Sequence, residues 1–179
     1  MVSAHLVSAI DQLDRAAYSG EAFRHIGPQY NPLSGAGART HGGRWNPPQS
    51  FATLYLGFER ATVIAEFGRA VARSRRSLED FLPRRFYRYE LQLRALLDMR
   101  VAENRAAVGL SDDALTADDL RPCQAVGEAA HHVGREGIVA PSAAGPGTVI
   151  AVFFDRLEAD SFVRDLGFEL WDATPNAEI

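Results

Sequence analysis

The 179-residue sequence contains no lysine: all 19 of its basic residues are arginine. Anionic groups can then be met only by guanidinium groups, which suit two-point contacts to phosphate better than an ammonium does. A biased genomic base composition accounts for the same usage without any function. Cysteine is nearly absent, and Cys123 alone excludes an internal disulfide and a cysteine-rich zinc site. There is no run of 18 apolar residues, no secretory signal and no lipidation motif, so a cytoplasmic protein without a membrane partner is expected. Positive charge is not in excess either. The formal net charge of −4 argues against direct nucleic-acid binding.

What is present is apolar patterning: 46% of residues are hydrophobic, enough for a core in one domain spanning 1–179. No repeat or linker divides the chain. Leu6, Ile10 and Leu13 predict a helix over 5–17, and "AFRHI" (22–26) a short strand. Residues 27–50 are rich in glycine and proline and read as one long loop, of a length that is usually functional inside a compact domain. A strand over 52–57 and a helix over 59–74 follow. "RFYRYELQL" (85–93) alternates, with Tyr87, Tyr89, Leu91 and Leu93 on one face and Arg88, Glu90 and Gln92 on the other, as a half-buried strand does. The acidic stretch 101–120 is expected to hold one or two short helices. A further helix starts at Asp118 or Asp119, with Pro122 in its first turn and Gly137 past its end. On it Cys123, Gly127, Ala130 and Gly134 form a small-residue face suited to close packing. Strands over 137–142 and 148–155 flank "AAGPG", and 168–172 is a last strand. The sum is a single-domain α+β fold with a mixed sheet of about six strands and three or four helices, its topology left open by the element order.

Four places could carry chemistry. In "HGGRWNPP" (41–48), Gly42 and Gly43 permit close approach of backbone to a ligand, and Arg44 could grip a phosphate through two parallel hydrogen bonds. A tight turn closed by a buried Trp45 is the plainer alternative. The helix 59–74 is apolar over most of its circumference except for the row Thr62, Glu66, Arg69 and Arg73. That row is either a solvated stripe with a Glu66–Arg69 pair or one wall of a cleft with Glu66 aimed at a ligand. Arg24, set between Phe23 and His25–Ile26, points either to solvent or into a polar pocket. Ser142 lies where a strand enters a turn, a position that can present a hydroxyl and backbone N–H groups. It has no G-x-S-x-G context. His131 and His132 point about 100° apart on a helix, so no metal site is expected, and "SGAGART" lacks the strand-to-helix setting of a dinucleotide fingerprint.

In this order, "FRH" with Arg24, "GGRWNP" (42–47), "LYLG" with Tyr55, "VIAEF" with Glu66 and "CQAVGEAAHHVGREGIVAPSAAG" (123–145) with Ser142 resemble the RES-domain proteins, toxins of type II toxin–antitoxin pairs. The resemblance spans roughly residues 20–155. It implies a fold similar to that of ADP-ribosyltransferases and NAD+ as substrate, with no cofactor and no metal. It implies Glu66, Arg24 and Ser142 as catalytic residues, with Arg44, Tyr55, Gly43, Trp45 and Asn46 binding the substrate. It implies, too, an Xre-like antitoxin covering the site in a hetero-oligomer. The residue types agree with cleavage of the nicotinamide–ribose bond. The leaving group is already cationic, so one carboxylate that stabilises an oxocarbenium-like transition state suffices. The acceptor would be inorganic phosphate, as in an NAD+ phosphorylase giving ADP-ribose-1″-phosphate, or water, as in a glycohydrolase. A protein ADP-ribosyltransferase is the nearest alternative. A non-catalytic nucleotide- or antitoxin-binding module is the alternative from another class.

Overall fold

The longest strand organises the molecule. In the computed structural model, which describes residues 2–173, β3 (Arg84–Asp98) carries β1 (Ala16–Ile26) antiparallel along one edge, from Ala16↔Leu96 to Ile26↔Arg85. Its other edge takes β6 (Phe162–Trp171) antiparallel and, beyond it, the parallel strand β4 (Gly137–Pro141). β5 (Thr148–Phe153) joins β4 to β2 (Thr53–Gly57), and β2 returns to β1. The sheet order β1-β2-β5-β4-β3-β6, with β1 also paired to β3, closes five strands into a barrel and leaves β6 outside along β3. The closing seam is thin: β1 and β2 meet only at Phe23↔Gly57.

Alternation fills the barrel as the sequence predicts. Tyr87, Tyr89, Leu91 and Leu93 face inward with Ala22, Leu54, Leu56, Ile150 and Val152, while Arg88 is exposed. Burying each large apolar side chain contributes about 1.5–3 kcal/mol. Six α-helices lie outside the strands among the described residues, more than the three or four expected: α1 (Ala4–Asp11), α2 (Ala36–His41), α3 (Arg60–Ser74), α4 (Ala102–Ala107), α5 (Asp112–Thr116) and α6 (Arg121–His132). Three of them span only five or six residues, too short to show a period in sequence. Among the described residues, no helix is long and apolar enough to cross a membrane.

Several boundaries differ from expectation, each for a visible reason. The first helix stops at Asp11, not residue 17. The buried Arg135 guanidinium donates to the carbonyls of Ile10 and Leu13 at 2.6 Å each and so fixes the chain's exit. Residues 16–21 then join β1 because β3 pairs with them, tertiary pairing overriding weak local preference. The 27–50 segment is folded, with α2 inside it and a Gly43↔Asn46 bridge. α6 ends before Gly134, whose φ of 78° breaks it, while Gly137 opens β4. β6 starts at Phe162, not 168; it is an edge strand whose residues 166–170 are all exposed, so that stretch shows no alternation.

On α3 the row with Glu66 forms a cleft wall, not a solvated stripe. Ala61, Gly68 and Ala72 are exposed, while Thr62, Val63 and Phe67 are buried and Glu66 and Arg69 are half-buried. Alanine is the best helix former and loses nothing facing water. The large residues instead dock on the sheet with Phe86 and Trp171.

Candidate active site

Because β1 and β2 touch at one pair only, they part on either side of it, and the gap becomes a cleft of about 330 Å3. Phe23, Arg24 and His25 line it from β1, and Tyr55, Leu56 and Gly57 from β2. Val63 and Glu66 close it from α3, Gly43 to Trp45 from the loop after α2, and Ala143 from the turn after β4.

The loop that carries Arg44 is built as a wedge. Trp45 is 1% exposed and Asn46 fully buried. The Tyr55 hydroxyl accepts from the Trp45 N–H at 2.8 Å and donates to Asn46 Oδ1 at 2.8 Å. Asn46 Nδ2 donates to the Ala38 carbonyl at 2.8 Å. Burial pushes the Tyr55 phenol well above its ordinary pKa, outweighing the lowering from Trp45, Arg44 and Asn46, so it remains a neutral donor. Gly43 is required beneath that ring, since a Cβ there would come within 2.5 Å of the Tyr55 oxygen. Behind the wedge stands α6. A Cβ on Gly127 would lie 1.8 Å from the Trp45 carbonyl oxygen, so the small residue at this point of the face admits the loop. Asn46 thus stands behind the cleft wall with its amide spent on the loop, and Trp45 is at once the buried plug of a turn and part of the lining.

Glu66 is not paired with Arg69. Its Oε1 accepts from the Ser142 hydroxyl at 2.6 Å and from the Ala143 N–H at 3.0 Å. Ser142 Oγ in turn accepts from the Ala144 N–H at 3.1 Å. Ser142 is 6% exposed, so it grips the carboxylate from behind while Ala143 faces the cleft. Among the described residues no hydrogen bond is made to the second carboxylate oxygen, Oε2. Arg69 turns to the Ala143 carbonyl, to Thr116 O at 2.7 Å and toward Asp118, tying α3, the β4 turn and the segment after α5 together.

The two arginines differ. Arg24 donates from Nη1 to the carbonyls of Pro32 (3.2 Å) and Ser34 (3.1 Å), and among the described residues Nε and Nη2 make no hydrogen bond. Arg44 uses both terminal nitrogens, Nη1 toward Ala114 O at 3.3 Å and Nη2 toward Ala117 O at 3.2 Å. Burial lowers the Arg24 pKa, with Tyr89 opposing the shift.

Along nearly its whole length, residues 14–170, the chain matches the RES domain. It belongs to the RES-domain family. Over 153 residues, 84% of this chain and 82% of the relative, it is 35% identical to the NAD(+) phosphorylase MbcT of Mycobacterium tuberculosis, and equally to that of Mycobacterium bovis. In the crystal structure of the M. tuberculosis MbcT-MbcA toxin-antitoxin complex, a chain superposes with a TM-score of 0.82 at 33% identity, covering 97% of this chain and 94% of that one.

This RES domain therefore gathers Arg24, Gly43, Arg44, Trp45, Tyr55 and Glu66 around one cleft, with Ser142 and Asn46 one layer behind. Sequence reasoning missed Phe23, His25, Leu56, Gly57, Val63, Ala143 and Val149. His25 sits in the quoted "FRH" beside the arginine, but nothing in its spacing marks it as facing a cleft. In the RES domain His131 is engaged elsewhere, 2.8 Å from Asp155 Oδ2 and stacked on Phe51 at 3.9 Å. Among the described residues no group of three or more His, Cys, Asp or Glu converges on a metal position.

Proposed function

We propose that this RES domain is the toxin of a toxin–antitoxin pair and degrades NAD+ by breaking the nicotinamide–ribose bond. The observation that carries the proposal is Glu66, a carboxylate at the wall of a cleft, held through Oε1 alone. The names of the MbcT relatives support the same reading.

In this mechanism the bond between the anomeric carbon and the pyridinium nitrogen breaks with its electron pair going to nitrogen, so nicotinamide leaves neutral. No proton donor is needed. Positive charge develops on the ribose, and Glu66 opposes it. Its geometry is fixed before reaction by Ser142 and the Ala143 N–H, so little reorganisation is required. Arg24 offers Nε and Nη2 to the pyrophosphate or to an attacking phosphate, a charge-assisted contact. Gly43 lets the loop backbone lie against the substrate while Arg44, Trp45, Tyr55 and Asn46 keep that loop in place. With inorganic phosphate as acceptor, its oxygen bonds to the anomeric carbon and the product is ADP-ribose-1″-phosphate. An Xre-like antitoxin would cover the mouth between the 27–50 segment and the "SAAGPG" turn, both of which contribute lining residues.

Product analysis tests the reading. Purified protein incubated with millimolar NAD+ should release nicotinamide, and phosphate should divert the second product from ADP-ribose to ADP-ribose-1″-phosphate. No nicotinamide release from folded protein in phosphate buffer would remove the enzymatic claim. Label transferred to a protein instead would establish ADP-ribosylation of a macromolecule. The antitoxin complex should be inactive.

A further inference from the structure

His25 is the polar residue of the cleft that the proposed mechanism leaves without work. Its ring packs against Phe67, with centroids 4.4 Å apart, and lies 5.9 Å from Trp171. One nitrogen, Nδ1, is buried without a hydrogen-bond partner. The other, Nε2, is neither among the buried unpartnered atoms nor in a hydrogen bond among the described residues, so it keeps some exposure, and His25 lines the cleft. A neutral imidazole carries one hydrogen. A buried N–H left unpaired is costlier and rarer than an unpaired acceptor, so the hydrogen belongs on Nε2. Burial, then the charges of Arg84 and Arg24, push the imidazole pKa down to about 3. The ring is therefore an uncharged donor at physiological pH, with cations from β1 and β3 beside it.

We infer that His25 contacts the substrate directly, presenting Nε2–H to the carboxamide oxygen of the nicotinamide ring. The inference rests on the NAD+ reading above. A phosphate would call for another cation, and the fold has arranged the reverse by keeping this imidazole uncharged next to two arginines. A neutral donor suits a neutral acceptor, and it adds no further positive charge beside the cationic pyridinium ring that bears the carboxamide. The aromatic bed of Phe67 and Trp171 fixes the imidazole plane and hence the direction of the donor. A hydrogen bond to that oxygen also draws electron density from the ring and assists its departure.

The test pairs substitutions at His25 with a change in the substrate's acceptor. His25→Phe keeps an aromatic ring on Phe67 and removes the donor. It should lower kcat/KM for NAD+ roughly five- to tenfold, the worth of a neutral hydrogen bond, while His25→Gln, whose amide reaches the Nε2 position, should recover most of the loss. With the thionicotinamide analogue of NAD+, whose sulfur is a weak acceptor, parent and His25→Phe should differ by less than about twofold on the same reasoning. A purely structural role would depress both substrates alike, and that outcome, or a His25→Phe enzyme equal to the parent on NAD+, overturns the inference. Should the Phe variant not fold, Gln and Asn decide. Asn reaches only the Nδ1 position, so activity in Gln but not in Asn supports the assignment and equal activity refutes it. A parent that releases no nicotinamide overturns the function and this inference together, whereas an active parent with an indifferent His25 loses only the latter.

Discussion

The Ser142 hydroxyl donates to Glu66 Oε1 across 2.6 Å, joining residues 76 positions apart. A turn serine and a helical acid thereby become one unit, in which the serine and the Ala143 N–H orient a carboxylate that faces the cleft. The pairing suits a charge that must stand still while an opposite one forms.

Glu66→Gln can keep its carbonyl oxygen on Ser142 and Ala143 while removing the negative charge. Turnover should fall about 10²–10³-fold, or ~2.7–4 kcal/mol of transition-state stabilisation. NAD+ affinity and melting temperature should hardly change, because the charge opposed exists only during reaction. Cells expressing this variant without antitoxin should grow. A variant that kills as well as the parent would refute the assignment.

Ser142→Ala leaves the carboxylate with the Ala143 N–H alone. One hydrogen bond to a charged group contributes about 1.5–3 kcal/mol, so kcat should drop roughly 10- to 150-fold with a small change in KM. Steady-state kinetics on both variants and on the double variant check this: two residues acting as one unit should give losses far from additive.

The arginines should separate. Arg24→Ala should weaken kcat/KM by ~1.5–3 kcal/mol, the loss of a charge-assisted contact to the substrate. Arg44→Ala releases the carbonyls of Ala114 and Ala117, so its effect should appear in thermal stability and in protease sensitivity near α5 as well as in activity. Identical profiles for the two would contradict the distinction drawn from their partners.

Two glycine substitutions should move in opposite directions. Gly127→Ala drives a methyl group against the Trp45 carbonyl, which must shift. It should destabilise by ~1–3 kcal/mol, as overpacking does, and disorganise the Arg44 loop. Gly68→Ala, mid-helix on the exposed face of α3 with nothing within 4 Å of the new atom, should stabilise by about 0.5–1 kcal/mol and leave catalysis unchanged. Melting curves with parallel NAD+ assays read both.

Acid sensitivity should trace to Glu136. This fully buried residue accepts from the N–H groups of Arg94 (2.5 Å), Ala95 (2.8 Å) and Glu158 (2.8 Å). Burial raises its pKa, but the nearby Ser161 hydroxyl and the bonds from the Glu158, Arg94 and Ala95 N–H groups together hold it below 4.5. A folded-state pKa below the unfolded value means stability that is fully present above the unfolded pKa and is lost as pH falls through the folded one. Glu136→Gln should therefore be less stable than the parent at neutral pH and should flatten the acid limb of the stability profile. Denaturant titrations from pH 7 downward measure it.

What the sequence revealed depended on whether the signal was local. The inward tyrosines and leucines of β3 announced themselves because period two survives wherever one face is buried, and α3 was bounded to within a residue by its apolar content. Which side of α3 faces inward was not legible, because alanine is indifferent to exposure and the decision fell to Val63 and Phe67 meeting the sheet. "GGRWNP" was recognisable as a special loop, but its docking on Gly127 requires knowing that α6 lies behind it. Arg24, Gly43, Arg44 and Glu66 stood out as candidates one by one, but that they share one site came from family resemblance. Glu66's partner did not, since the spacing on its own helix pointed to Arg69 and the true partner lies across the fold.

The barrel's closure by a single backbone pair has a mechanical consequence. A ring fastened at one seam by one stitch widens there before it widens anywhere else. Phe23↔Gly57 is that stitch, and Gly57 also gauges how near α3 can sit, since a side chain on it would meet Val63 at 2.8 Å. The mouth of the cleft and the fastening that keeps the ring round therefore share one joint. Loosening it would widen the cleft and unround the ring in the same movement.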